Sequence, residues 1–159
     1  MPVKVRLLEA VDKPAVMAIL RNTPEFKPIE VDVAGELIDA YLEDPKGSGY
    51  DTLVAVTDGA IAGYICYGPR PLTVGTWDVY WMAVNRQLQG RGIGRALLER
   101  AEADIKARGG RLIMIETSGT PLYISAQRFY QARHYELAAR IADFYEPGDD
   151  LLVFVKRLN

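Results

Sequence analysis

The residues best placed to do chemistry lie between Trp77 and Leu98, in the stretch WDVYWMAVNRQLQGRGIGRALL. An apolar run ends near Val84. A polar segment follows, and Gln89, Gly90, Arg91, Gly92, Ile93 and Gly94 then lead into an amphipathic helical pattern. A strand that feeds glycines into a helix start makes an anion site, because the first N–H groups of a helix have no intrahelical partner and the macrodipole adds positive charge there. The ligand expected is a diphosphate-bearing cofactor. Other chemistry is scarce. With one histidine, His134, and one cysteine, Cys66, any Ser-His-Asp or Cys-His system would rest on His134. An intrachain disulfide is excluded, no Cys/His cluster suits structural zinc, and no metal is expected.

Two familiar phosphate templates fit poorly. A Walker A loop needs Lys-Ser/Thr after its last glycine, and Arg95-Ala96 follows Gly94. A dinucleotide fingerprint would use Glu116, at the end of the next strand, as its ribose-binding acid. However, Arg95 stands where its third glycine belongs, and Asn85 to Gln89 separate the strand from the glycines.

The rest of the chain must position this stretch. Val3, Val5 and Leu7 alternate with Lys4 and Arg6, which predicts a half-buried strand. Asp12 is read as the N-cap of a helix with Pro14 in its first turn. A loop over Thr23 to Pro28 precedes a second helix, roughly Val31 to Leu42, with an acidic face (Glu30, Asp32, Glu36, Asp39) read as solvated. Two strands, Thr52 to Thr57 and Ile61 to Tyr67, flank Asp58-Gly59, a pair suited to a type I′ turn. After the glycines a helix runs to about Arg108 and stops at Gly109-Gly110. Leu112 to Ile115 reads as a strand covered on both faces and ends at Glu116. A helix from Tyr123 to Arg133, a strand from Tyr135 to Ile141, a turn over Phe144 to Asp150 and a strand from Leu151 to Val155 complete the chain.

The order is β-α-α-β-β-β-α-β-α-β-β. It predicts an α/β (α+β) fold: one domain over 1-159, with a mixed, mostly antiparallel sheet of six to seven strands and helices on both faces. The β-α-β unit must be parallel and right-handed. A chain that is 49% hydrophobic and 25% charged suits a globular protein. Net charge of −2 argues against a nucleic-acid partner. The first ten residues are too short and too charged for a signal peptide, and no apolar run approaches the ~18 residues of a membrane span. The reading is a cytoplasmic, soluble protein with no membrane partner.

Val84 to Gly94 resembles the acetyl-CoA motif of the GNAT superfamily of N-acetyltransferases, Q/R-x-x-G-x-G/A, with Gln89, Gly92 and Gly94 as its core. A second segment, Ala126-Gln127-Arg128-Phe129-Tyr130-Gln131-Ala132-Arg133-His134-Tyr135, resembles the family pattern A-x-x-F/L-Y-x-x-x-G-F. His134 departs from it where glycine is usual, at a position that often needs positive φ, so local strain or a changed turn is expected. The resemblance implies acetyl-CoA as cosubstrate, with the pyrophosphate on the N–H groups of Gln89, Gly90, Arg91, Gly92, Ile93 and Gly94. Arg91 and Arg95 would stand near the phosphates. The pantetheine arm would pair with the backbone of Met82, Ala83 and Val84, where the central strand splays from the next.

The resemblance also implies an N-acetyltransferase acting on a primary amine. Tyr130 occupies the position of the family's general acid, beside the thioester. Glu116 is the candidate base, acting directly or through water, and Asp78 is its rival. On strand alternation Asp78 should share a face with Tyr80 and Met82. Phe26, Tyr64, Tyr80 and Tyr123 are candidate acceptor walls, and nothing in the sequence forms a clear anionic cluster. The acceptor implied is a small amine or amino acid. A protein N-terminus or lysine is the alternative, and a non-catalytic acyl-CoA sensor is the alternative of another class. A homodimer is a further possibility, since dimers are common in the family.

Overall fold

The computed structural model describes residues 2–159. Its elements follow the expected order: β1 (Lys4–Leu7), α1 (Lys13–Arg21), α2 (Pro28–Glu43), β2 (Asp51–Thr57), β3 (Ala60–Pro69), β4 (Thr76–Val84), α3 (Ile93–Ala107), β5 (Leu112–Ser118), α4 (Ile124–Ala132), β6 (Glu136–Glu146) and β7 (Asp149–Arg157). The seven strands form one sheet ordered β1-β2-β3-β4-β5-β7-β6. Only β4 and β5, joined through α3, run parallel.

Period-two alternation divides the core between the two faces of the sheet. On one face Leu97, Leu98, Ala101 and Ile105 of α3 pack with Ile65, Ile113, Ile115, Tyr130 and Phe154. On the other, Val16 and Leu20 of α1 and Ile38 and Tyr41 of α2 pack with Val54, Tyr64, Cys66 and Ala83. This second helical layer contacts β2, β3 and β4. β5 is therefore not covered on both faces as its apolar run implied: Ile113 and Ile115 are buried, but Leu112 and Met114 are half-buried and Glu116 is exposed. The sheet beyond β4 has one face free of helix.

Local signals govern most of the turns. Asp58 (φ 52°) and Gly59 (φ 74°) both adopt the positive φ that a type I′ hairpin requires. At the end of α3, Gly109 (φ 84°) sits in the left-handed region, and Gly110 N–H donates to Ile105 O at 2.8 Å. Asp12 occupies the N-cap position of α1 as expected, but its side chain makes no capping bond to that helix. Its buried carboxylate accepts two hydrogen bonds from the Arg6 guanidinium (2.7 and 2.9 Å) and one from Glu9 N–H (2.8 Å). Arg6 holds that carboxyl below the usual carboxylate range. α2 starts earlier than its apolar pattern indicated, because Pro28 opens it and the Glu30 side chain accepts from Lys27 N–H at 3.1 Å.

At the far edge, β6 extends through Phe144 and Tyr145 to Glu146, so the turn is confined to Pro147-Gly148. Every residue of β6 is exposed despite its clean alternation, since no helix lies over the sheet's edge. α4 closes as a Schellman motif: His134 N–H donates to Gln131 O (3.1 Å) and Tyr135 N–H to Tyr130 O (3.0 Å). His134 takes φ 73° there, as the usual glycine would, and bears the strain of a side chain in that region. Replacing His134 with Gly should therefore stabilise the fold by about 0.5–1 kcal/mol. The unfolding midpoint should rise by about 2–4 °C for each kcal/mol. A lowered midpoint in thermal unfolding would contradict this reading.

Candidate active site

Two irregularities in β4 build the site. The first is a bulge. Tyr67 pairs with Val79 but Cys66 with Trp81, so Tyr80 is an extra residue on β4. Alternation resets across it. Tyr80 and Trp81 both lie with the α1/α2 layer, whereas Val79, Met82 and Val84 pack with the α3/α4 layer. Met82 thus does not share a face with Asp78 and Tyr80, contrary to simple alternation. The second is a split. Parallel pairing of β4 with β5 stops at Val79–Ile115, while Glu116, Thr117 and Ser118 continue along β7. From Tyr80 to Val84, β4 therefore presents backbone toward a gap instead of a neighbouring strand, beside Glu116.

The glycine loop lies at the end of this split. A short 3₁₀ turn, Arg86–Leu88, is capped by the Asn85 side chain, which accepts from Gln87 N–H at 3.0 Å. Gly90 (φ 81°) and Gly92 (φ 77°) then hold left-handed conformations, and Gly92 is the N-cap of α3. A Cβ at either glycine would meet no protein atom within 4 Å, so the space in front of both is open. The Gly92 carbonyl already accepts from Ala96 N–H at 3.0 Å. By helix geometry the N–H groups of Ile93, Gly94 and Arg95 stay free. Such an open cradle of donors at a helix start fits a diphosphate. Ile93 is buried beneath it, Arg91 is exposed, and Arg95 donates to Glu99 at 2.8 Å. Gly94 faces Val84 and the ring of Phe129, leaving the α4 side of the split slim.

Tyr130 of α4 is buried and packs against Phe129, Tyr135 and Phe154. Burial pushes its phenol up to about 12. Tyr123 and Tyr135 donate their hydroxyls to Glu25 O and Glu102; among the described residues no such bond ties the Tyr130 hydroxyl. Glu116 reaches the open face of the sheet. Asp78, on the same face, is buried, and burial raises its carboxyl against the lowering effect of Arg70. Both Asp78 oxygens are taken by Arg70, through Nη2 (2.9 Å) and Nε (2.9 Å). Arg70 Nη2 also stands 3.8 Å from Glu116 Oε1.

The acceptor side differs from expectation in two respects. Tyr64 is no wall of this site: it is fully buried under α1 and α2, and its hydroxyl has no partner. An anionic mouth does exist. The α1–α2 loop, the turn before α4 and the β6–β7 hairpin converge, through Tyr123 Oη donating to Glu25 O (2.8 Å) and the Lys27–Glu146 ion pair (3.4 Å). Burial raises the Tyr123 phenol, and the charges of Glu30, Glu25 and Asp149 raise it further. Partial desolvation of its hydroxyl raises the phenol of the otherwise exposed Tyr145 to about 12, and the charges of Glu116, Asp149 and Glu30 add to the rise. Asp32, Glu36 and Asp39 of α2 are solvated as expected, whereas Glu30 at its start is half-buried. Phe26 packs edge-on to Trp81 (5.5 Å) and Tyr80 to Tyr50 (5.5 Å), all on the α1/α2 side of the sheet. Arg70 and Tyr145 carry no linear signal, because strand pairing and the hairpin alone bring them to the site.

Among the described residues the sheet splits between its one parallel pair of strands, with a left-handed glycine loop at the split. The model of the acetyltransferase (GNAT) family matches residues 15–135, and the chain belongs to that family. An uncharacterized N-acetyltransferase of Methanocaldococcus jannaschii is 29% identical over 105 residues, which are 65% of this chain and 64% of that relative; the chain thus spans less than two thirds of its length. A crystal structure of a GNAT-family protein from Desulfovibrio desulfuricans superposes with a TM-score of 0.94 at 39% identity, covering 98% of this chain and 99% of that one. A Salmonella typhimurium structure with its cofactor acetyl-CoA has the same fold (TM-score 0.76, 18% identity, covering 99% and 94%). Among the described residues no group of three or more His, Cys, Asp or Glu could hold a metal, and no helix is long and apolar enough to cross a membrane.

Proposed function

We propose that the protein moves the acetyl group of acetyl-CoA to a primary amine, with Glu116 as base, directly or through water, and Tyr130 as acid. The observation that supports this reading is the β4–β5 split: Glu116 is the first β5 residue past the last β4 pair, and Gly94 in the first turn of α3 packs against Val84 at the end of β4. Acetyl-CoA supplies an activated thioester. The loop N–H groups would hold its diphosphate, and the unpaired backbone at Met82, Ala83 and Val84 would take its amide-bearing arm.

The acceptor arrives mostly as an ammonium, since an alkylamine has a pKa of ~10.4. Glu116 accepts the proton that frees its lone pair. The amine attacks the thioester carbon; as the C–S bond breaks, Tyr130 donates its proton to the departing sulfur, and the second proton that nitrogen loses as the amide forms restores the phenol. Burial raises the phenol to about 12, so Tyr130 stays protonated around neutral pH and imposes no loss of activity there. Tyr130→Phe should lower kcat by roughly 10- to 100-fold, a modest share of general acid catalysis, and leave acetyl-CoA affinity unchanged. Steady-state rates with calorimetric binding check this. An unchanged kcat would assign the proton to water.

The anionic mouth favours a cationic acceptor, a small amine or an amino acid. A protein N-terminus is the second reading. It is favoured by the exposed aromatic pair Phe144 and Tyr145 on the hairpin beside the mouth, a surface that a small amine would not need.

A further inference from the structure

Arg70 lies just beyond the end of β3, in a loop whose backbone is itself fixed. Its N–H donates to Thr76 O (2.8 Å), and Thr73 Oγ1 donates to its carbonyl (2.8 Å). The Arg70–Asp78 contact is a fork of one hydrogen bond, Nη2 to Oδ1 (2.9 Å), and one ion contact, Nε with Oδ2 (2.9 Å), which together limit how the guanidinium can turn. Asp78 is only 6% exposed, and a carboxylate so placed needs a partner of this kind. The fork leaves Nη2 turned toward Glu116 at 3.8 Å. Glu116 has no other ion pair among the described residues, its side chain is 44% exposed, and no helix lies over its strand face. Without Arg70, nothing would restrict that carboxylate to one staggered rotamer.

We infer that Arg70 is a positioning residue for the transfer reaction: anchored by the buried Asp78, it holds the Glu116 carboxylate over the β4–β5 split where the acceptor amine gives up its proton. This rests on the reading of Glu116 as base. The charges are consistent with it. Arg70 and Asp78 cancel, so Glu116 keeps a net negative charge to meet an ammonium. It also gives Asp78 the part of an anchor instead of a rival base.

Arg70→Met alone would leave a buried carboxylate unpaired, so the informative variant is Arg70→Met with Asp78→Asn, which removes both charges. Acetyl transfer and acetyl-CoA binding are measured for this pair, for Glu116→Gln, and for the triple variant. The pair should lose about 10-fold in kcat through misorientation, with acetyl-CoA affinity unchanged. Glu116→Gln should lose about 100-fold. The triple variant should be no slower than Glu116→Gln, because the anchor then has nothing to act on. If the pair does not fold, Asp78→Asn alone, which removes the anchor and keeps the half-exposed Arg70 cation, enters the same comparison. A triple variant about 10-fold below Glu116→Gln, or a pair at the wild-type rate, would overturn the positioning role and leave Glu116 as base. Glu116→Gln at the wild-type rate would overturn the base reading and the positioning role together.

Discussion

Glu116→Gln should reduce kcat for amine acetylation by about 100-fold or more, the usual contribution of a positioned general base. Acetyl-CoA affinity should not change, because Glu116 emerges on the helix-free side of the sheet and the glycine loop lies at the start of α3. Folding should hardly change either. The side chain is 44% exposed, its ion pair with Arg70 is 3.8 Å long, and exposed pairs of this kind contribute ~0–1 kcal/mol. The measurement is steady-state thiol release with calorimetric titration of acetyl-CoA. Loss of coenzyme binding together with activity would mean that Glu116 supports the fold of the split instead of the chemistry.

Gly92→Val should abolish coenzyme binding while leaving a folded protein. Gly92 sits at φ 77° as the N-cap of α3, and a β-branched side chain in that region costs about 1–3 kcal/mol. No protein atom lies within 4 Å of the Cβ position, so the added methyls would project into the cradle without clashing with the chain. Whether the loop turns its N–H groups away or the side chain blocks the diphosphate, hydrogen bonds to a charged ligand worth about 1.5–3 kcal/mol each are lost. Two such losses raise Kd by more than roughly 100-fold. Calorimetry with CoA checks the affinity, and circular dichroism checks the fold. Unimpaired CoA binding by a folded Gly92→Val protein would place the coenzyme elsewhere.

The donor side of the site was legible because its physics is local. Positive-φ glycines, a helix start and an adjacent strand are all written within a dozen residues: Gly90 and Gly92 take positive φ after β4, and Gly94 lies in the first turn of α3. The hairpin at Asp58-Gly59 and the stop at Gly109 were legible for the same reason. The acceptor side was not, because its geometry is made by pairing. No residue type announces that Tyr80 is bulged, yet that bulge moves Met82 to the opposite face from Tyr80. Glu30 and Asp149 read as ordinary surface acids, and only the approach of the hairpin to the α1–α2 loop makes them one mouth with Tyr123 and Tyr145. Tyr64 illustrates the converse error. As an aromatic on a strand near the site it could have faced either way, and the helical layer over β3 decided the matter.

The account depends most on turnover itself, and the most direct measurement is release of free CoA thiol from acetyl-CoA across a panel of amines: diamines, amino acids, aminoglycosides and peptides with free N-termini. Thiol release that matches the acetylated amine formed, highest for cationic acceptors and reduced in the Glu116→Gln and Tyr130→Phe proteins, is the predicted result. Tight acetyl-CoA binding with no acetylation of any amine in the panel would contradict it and leave a coenzyme-binding sensor in its place.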